Sequence, residues 1–538
     1  MSAAGRLRIT GGAIHDPANG VDGEVRDLLI EDGRIVASLP EDAPRLDARG
    51  MIVMPGGVDI HSHLASSSCN HARRLDPEEH AADPVAAPQL AYGPGRSGTG
   101  GTVPSTFTTG YRYAGLGYTT VFDAAVAPLT ARHTHAELDD TPCLDAGFYA
   151  LLGNDDYLLR QIAAGERGRA KDYVAWLLGA VGGYAVKIVN AGGVAAWKGG
   201  ARDVNGIDDE AAGVAPRAIL ETLADAVNAL GLPHPVHIHC NNLGLAGNSA
   251  TTLATMQALA GRRAHYTHLQ FQSYGGEPGK SWSSAAGPVM EYVNAHPEVS
   301  VDVGQVMFGP AMTITADSPV EYLLYKSTGR RWTNIDIELE TGCGIVPLNY
   351  KEKAAVAALQ WVVGLEIFLL SADPWRVVLS TDHPNGGSFL AYPQLIQLLM
   401  SRAARDEQLQ RVNQKWLAGS ALADGLAREY TLNEIAIVTR AGPARLLGLT
   451  QKGHLGPGAD ADVTIYARES DLAHMFSTPR YVIKGGELIV EEGQLRRAPP
   501  GSRFSLAPAY DNAVIPSIRD HFARYSTVSF ENYPVRRP

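Results

Sequence analysis

Cysteine is scarce: four residues in 538, Cys69, Cys143, Cys240 and Cys343, widely spaced and without a CxxC pair. That excludes a disulfide framework and iron–sulfur ligation, which need dense or closely spaced thiols, and a reducing cytoplasm is the expected compartment. Long apolar runs are missing too. No stretch reaches about 18 apolar residues, and the opening "MSAAGRLRITGGAIHDP" lacks a signal-peptide core, so neither a membrane span nor an export signal is expected. Positive charge is in short supply. With 46 Lys and Arg against 57 Asp and Glu the net charge is −11, which offers nucleic acid and anionic membranes no general attraction beyond local patches such as "GRRAHY". The 45% hydrophobic content excludes disorder, and the length allows a large core plus a second domain.

What is present has a clear order. Residues 1–54 contain short strands with turn punctuation ("LRITGGAIHDP", "DLLIEDGRIVAS"), and the texture returns in 435–500 with "GADADVTIYA" and "RYVIKGGELIVEEG". The two ends are expected to pair into one β-sandwich around a central domain, 55–434. Within that domain strand-like runs alternate with helical ones, the pattern of a parallel sheet with crossover helices. Eight strands can be counted: "GGVDIHSH", "YTTVFDAA", "DAGFYALLG", "YAVKIVNAG", "HPVHIHCNN", "AHYTHLQF", "VSVDVGQVMF" and "RVVLSTDHP". The fold class is therefore α/β, a distorted (β/α)₈ barrel with an active site at the C-terminal strand ends. Insertions at about 64–118, 270–300 and 309–350 exceed a minimal barrel and suggest binding functions. Gly, Pro and Ser in "SYGGEPGKSWSSAAGP" argue against regular helix there. The tail, 501–538, either docks on a partner or, more plainly, folds back on its own barrel.

The C-terminal strand ends carry the chemistry. In an extended strand alternate side chains share a face, so His61 and His63 point the same way. The fourth strand contributes Lys187, the fifth His237 and His239, the sixth His265 and His268, the eighth Asp382 with His383. Imidazole and carboxylate suit Zn²⁺ and similar divalent ions. A lysine whose pKa is lowered by burial beside cations can capture CO₂ as a carbamate, an anion able to bridge two metals. Each residue has a blander reading: core histidines, a lysine reaching the rim, an aspartate capping the next helix. Jointly that reading is weak, because every one falls at a strand's C-terminal end. Period-two alternation puts His237 on the same face as His239 and does not choose between them; proximity to the strand end favours His239, and His268 is preferred over His265. His237, His265 and His383 then support the ligands from behind.

"PGGVDIHSH", "AVKIVNAG", "HIHCNN", "HYTHLQ", "STDHP" and "GADADVTIY" resemble the amidohydrolase superfamily in its carboxylated-lysine branch. The resemblance implies a composite β-sandwich and barrel, and two divalent metal ions, zinc being the first candidate, held by His61, His63, Lys187, His239, His268 and Asp382, with Lys187 carboxylated. More narrowly, "CNHARRLDPEEH", "VHIHCNNLGLAGN", "THLQFQSYGG" and "IVTRAGPARLLGL" are similar to the A-subunit family of formylmethanofuran dehydrogenases and bacterial formyltransferase/hydrolase complexes. That likeness implies a furfurylamine C1 carrier, N-formyl-methanofuran or its methylofuran analogue, as substrate, and partner subunits in a hetero-oligomer of one-carbon metabolism.

The chemistry expected of such a site is formamide hydrolysis. Water on Zn²⁺ falls from a pKa of about 15.7 to roughly 7, and Asp382 is placed to move the proton from that water to the departing amine. The reverse condensation of formate with the amine uses the same groups; the Ala- and Arg-rich composition favours hydrolysis. Asn70, Arg73, Asn190, Asn241 and Asn242 follow strands one, four and five, where they are expected to orient the substrate, against a plain role as loop caps. Two rivals remain: a cyclic amidase of the hydantoinase type, and a non-catalytic scaffold, which typically loses its ligands.

Overall fold

The computed structural model describes residues 5–75, 77–90, 92–192, 204, 214–315, 333–335 and 343–535. All eight expected strands form, as Gly57–Ser62, Tyr118–Val126, Asp145–Leu151, Ala185–Val189, Val236–His239, Ala264–Tyr266, Val299–Asp302 and Val377–Val378. They pair in parallel and in sequence order. A bridge between Ser62 and His383 completes the ring, with the His63 N–H donating to the His383 carbonyl at 2.7 Å. Helices cover the outside, as buried parallel strands require. In Pro216–Ala229 a proline opens the helix, where its missing N–H costs nothing, and Ile219, Leu220, Leu223 and Val227 form the buried stripe.

Both chain ends build one nine-stranded sheet, joined where Ile52–Pro55 runs antiparallel to Val463–Tyr466. It curls on itself: Arg34 bridges Asp460, and the Ile35 N–H donates to the Ala459 carbonyl at 2.9 Å. The curl encloses Ile9, Ile14, Ile30, Val53, Val463 and Ile465. Two buried groups tie this unit to the barrel. Arg440 donates to the Pro55 carbonyl at 2.9 Å and to the Tyr466 hydroxyl at 2.7 Å, and Lys452 reaches Asp145 at the foot of the third barrel strand.

The insertion after the sixth strand departs from expectation, because a helix, Ala286–Ala295, starts inside the Gly- and Pro-rich text. Pro288 falls in its first turn, where backbone N–H groups have no partner to lose. Of the insertion at 309–350, the described part is an antiparallel sheet of Gly309–Thr315, Thr333–Ile335 and Cys343–Tyr350 over the barrel mouth. The tail folds back on the barrel: Phe530 and Tyr533 stack on Trp176, and Ile518 and Phe522 join the main core. Among the described residues, no helix is long and apolar enough to cross a membrane.

Candidate metal centre

Strand geometry brings six of the expected residues to one place. His61 and His63 leave the first strand on the same face, and both Nε2 atoms meet Asp382 Oδ1, at 2.8 and 3.1 Å. The His239 and His268 rings stand edge to face with centroids 4.7 Å apart, and His268 lies 5.5 Å from His61. Lys187 enters between them. All six line a cavity of about 700 Å³. His268 and Asp382 hold backbone φ of +36° and +51°, left-handed values that cost non-glycine residues roughly 1–3 kcal/mol and that gather at functional sites. A neighbouring glycine is needed for one of them: a Cβ on Gly304 would come within 2.3 Å of His268 Cβ.

Buried polar atoms here are left over by the protein's own hydrogen bonding. Lys187 Nζ has no hydrogen-bond partner although the residue is 1% exposed, and His61 Nε2, close as it is to Asp382, lacks hydrogen-bond geometry. Such atoms are costly in a dry site unless something else satisfies them. Burial pushes the Lys187 ammonium down to about 7 against the pull of Asp302 and Asp382, so an appreciable fraction is free amine at neutral pH. Burial likewise holds His268 and His237 well below the usual imidazole range. For Asp382, burial alone would raise the pKa, but His61 and His268 outweigh it and keep a carboxylate. Imidazoles, a carboxylate and an unpartnered amine form a donor set that suits divalent ions.

Behind the cavity wall lies a residue that sequence reasoning missed. Asp302, the last residue of the seventh strand, is fully buried; its Oδ2 meets His265 Nε2 at 3.1 Å and His61 Nδ1 at 3.3 Å, and its Oδ1 accepts from the His268 N–H at 2.9 Å and Ser380 Oγ at 2.8 Å. The signal was available, since "VSVDVG" is an apolar strand ending in a carboxylate like the others. His237 and His265 sit in register with Lys187 on adjacent strands and do not line the cavity. With His61 and Asp302, His237 forms a second cluster whose donor atoms lie within 4.8 Å of one another, as do those of His61, His63 and Asp382. His383 turns its ring against Phe389, whose backbone N–H donates to its Nδ1 at 3.3 Å. Asp123 shapes the first loop by accepting from the successive N–H groups of Leu64, Ala65 and Ser66.

None of Asn70, Arg73, Asn190, Asn241 and Asn242 lines the cavity. Arg73 is spent on the Asn70 side chain, the Pro104 and Leu64 carbonyls and Glu137. Asn70 also meets His133 at 2.7 Å, Asn241 donates to the Ala191 carbonyl, and Asn242 donates to Thr251. Asn190 and Asn242 adopt φ of +45° and +64°, turns that asparagine tolerates. Polar groups on the wall come instead from Thr313, Asn349, Tyr350, Gln360 and Asn385, set among Leu243, Phe271, Trp282, Ile314 and Leu348. Thr313, Asn349 and Tyr350 belong to the insertion at 309–350, Gln360 to the helix Ala355–Leu369 and Asn385 to the loop after the eighth strand. The cavity is thus largely apolar, with His61, His63, His239, His268, Lys187 and Asp382 together on its lining.

Known proteins resemble this chain along nearly its whole length. The amidohydrolase family profile matches residues 46–490. Protein FwdA of Methanocaldococcus jannaschii is 43% identical over 551 residues, covering 98% of this chain and 96% of the relative. The A-subunit of the formyltransferase/hydrolase complex Fhc of Methylorubrum extorquens is 41% identical over 510 residues, 93% of this chain and 91% of the relative. The crystal structure of the formyltransferase/hydrolase complex FhcABCD from Methylorubrum extorquens in complex with methylofuran contains a chain that superposes with a TM-score of 0.91 at 38% identity, covering 98% of this chain and 96% of that one.

Proposed function

Because this chain belongs to the amidohydrolase family, we propose that it is the amide-cleaving subunit of a formyltransferase/hydrolase-type complex, releasing formate from the N-formyl group of a methylofuran-like C1 carrier in the cytoplasm. One observation supports this above the rest: Lys187 Nζ and His61 Nε2, buried and without hydrogen-bond partners, converge with Asp382 at the floor of a largely apolar cavity. Near-full-length likeness to the Fhc A-subunit supports this substrate class and the hetero-oligomer.

His61, His63, Lys187, His239, His268 and Asp382 would hold two divalent ions, zinc by donor chemistry, with Lys187 as its carbamate. A divalent ion there supplies Lewis acidity, lowering the pKa of water toward roughly 7 and polarising a carbonyl oxygen. The chain's own groups do the rest. Asp382 stays ionised, so it can accept a proton from the attacking water and pass it to the amine nitrogen as the C–N bond breaks. Asn349 offers its amide group to the formamide, Asn385 steadies Asp382, and Phe271, Trp282 and Leu348 enclose the ring-bearing part of the carrier and exclude water. Microscopic reversibility allows the same groups to condense formate with the amine.

The test is metal analysis of the purified complex together with formate release from N-formyl-methylofuran. About two divalent ions per chain, activity lost on chelation and regained with Zn²⁺, and no turnover of hydantoin or dihydropyrimidine are expected. Full activity in metal-free protein, or preferential cleavage of the cyclic amides, would sink the reading.

A further inference from the structure

Below the cavity a row of imidazoles descends toward the barrel floor. His61 Nδ1 lies 3.0 Å from His237 Nε2, His237 Nδ1 lies 3.0 Å from His234 Nε2, and His234 Nδ1 lies 2.9 Å from the carbonyl oxygen of Leu446. All three histidines are 0% exposed. Tyr149 packs the row in place, its ring stacked on His234 at 5.2 Å and its hydroxyl donating to the Ile60 carbonyl at 2.7 Å. The terminal carbonyl is available for a physical reason: Leu446 is in the last turn of the helix Gly442–Leu447, where carbonyls lack partners within the helix. Its neighbour Leu447 is served in the same way by the Tyr184 hydroxyl at 2.5 Å.

We infer that His234 is a positioning residue that, through His237, fixes the proton of His61 on Nδ1 and so presents Nε2 as a lone pair to a metal ion; the inference rests on the metal-centre reading above. A carbonyl oxygen can only accept, so His234 Nδ1 must carry hydrogen. A neutral imidazole has one proton, hence His234 Nε2 accepts and His237 Nδ1 donates. By the same step His237 Nε2 accepts and His61 Nδ1 donates. Asp302 Oδ2, 3.3 Å from His61 Nδ1, also only accepts and agrees with this order, and the Thr267 hydroxyl on the same atom can accept as well as donate and so is compatible with it. Without His234 the order is open to inversion: His237 would place its proton on Nε2, where Asp302 lies at 3.7 Å, and would face His61 Nδ1 as a donor. His61 would then carry its proton on Nε2, the atom that faces the cavity. Partners of this kind commonly change metal affinity 10–100-fold.

Two variants of the full chain separate positioning from packing. Zinc affinity measured by chelator competition should fall about 10–100-fold in His234→Leu, which fills space but accepts nothing, and should return to within about threefold of wild type in His234→Gln, whose amide oxygen can accept from His237 and whose NH₂ can donate. Nitrogen-15 spectra of histidine-labelled metal-free protein should show His234 and His237 as Nδ1–H tautomers, with His237 shifting toward Nε2–H in His234→Leu. Equal zinc affinity in wild type, Leu and Gln variants overturns the relay, whatever their thermal stabilities. So does an Nε2–H His237 in the wild-type spectrum, which decides the matter even if His234→Leu fails to fold. A third bound ion per chain that disappears in His237→Leu also overturns it, since His61 Nδ1, His237 and Asp302 would then be ligands rather than a hydrogen-bonded row. Loss of both ions from every preparation, wild type included, would instead remove the metal-centre reading itself.

Discussion

Asn385 holds Asp382 from two sides: its amide donates to Asp382 Oδ1 at 3.0 Å, and its backbone N–H donates to the Asp382 carbonyl at 2.6 Å. The Asn385 side-chain oxygen accepts from the Ile314 N–H at 2.6 Å, and the Tyr350 hydroxyl donates to its backbone carbonyl at 3.0 Å. One residue therefore links the Asp382 carboxylate to both long strands of the sheet that roofs the cavity.

Replacing Asn385 by Ala frees the carboxylate to rotate and unties it from Ile314. Formate release should fall about 10–100-fold, the usual effect of removing a group that orients an active residue, with the metal content unchanged. Steady-state kinetics and metal analysis on the same preparation check this. A variant with wild-type kcat means that Asp382 needs no such support.

Asp382→Asn probes the carboxylate itself. The amide keeps the shape and an oxygen donor but takes up no proton at neutral pH, so substrate should still bind while the rate drops by about 10²–10⁴-fold, the range for a lost general base. A binding constant from titration with the formylated carrier, set beside kcat, separates the two effects. Wild-type turnover would remove Asp382 from proton transfer.

For Lys187 the expected loss is different. Lys187→Ala deletes the amine that can become the bridging carbamate, leaving neighbouring cations to repel across a few ångströms; even single charges 4 Å apart repel by about 4 kcal/mol at an effective dielectric of 20. Metal and activity should disappear together, and short carboxylic acids, standing in for the carbamate, should restore part of both. Retention of both ions without added acid would end the bridging role.

Much of this architecture was legible because buried parallel strands read as unbroken apolar runs, and a polar residue closing such a run stands out. "VDIHSH", "VKIV", "VHIH" and "STDH" were visible for that reason, and the register that brings Lys187 level with His237 follows from the barrel. Asp302 was overlooked although its strand has the same form, because its partners, His265 and Ser380, lie 37 and 78 residues away and no local spacing announces them. The cavity wall was illegible for a deeper reason. Trp282 comes from an irregular insertion, and Thr313 and Tyr350 from strands of a separate sheet whose placement over the barrel mouth no local period announces. Asn70 and Arg73 were near in sequence to the first ligands, yet the loop turns them toward Glu137 and Pro104 instead.

Where the end sheet meets the barrel, Lys452 Nζ contacts three carboxylates: Asp145, Asp460 at 2.8 Å and Asp462 at 2.7 Å, while Lys484 reaches Asp145 at 2.6 Å. Burial alone would raise the Asp462 pKa, but Lys484 and Lys452 outweigh it and hold the carboxyl well below the usual range; burial alone would lower Lys452, but Asp462 and Asp145 push it above its ordinary value. The signs give a pH window. A depressed carboxyl contributes stability that is present above its unfolded pKa, about 3.9, and is lost as pH falls toward the folded value; a raised lysine contributes stability that is present below about 10.4 and is lost as pH rises toward the folded value. Stability from this cluster should therefore be level between about pH 5 and 9 and fall on both sides. Lys452→Met leaves the carboxylates with one ammonium fewer in a buried site, a change of the kind that costs about 3–5 kcal/mol. Thermal denaturation at a fixed scan rate should show a lower midpoint at neutral pH. The acid-side decline should become shallower, because the variant's Asp462 is less depressed and has less stabilisation to lose on protonation. Metal content should stay the same, since the cluster sits at the opposite end of the barrel from Lys187. An unchanged midpoint with an unchanged acid limb would mean that the three carboxylates find adequate partners in Lys484, Arg34 and the Gly485 and Ser502 N–H groups.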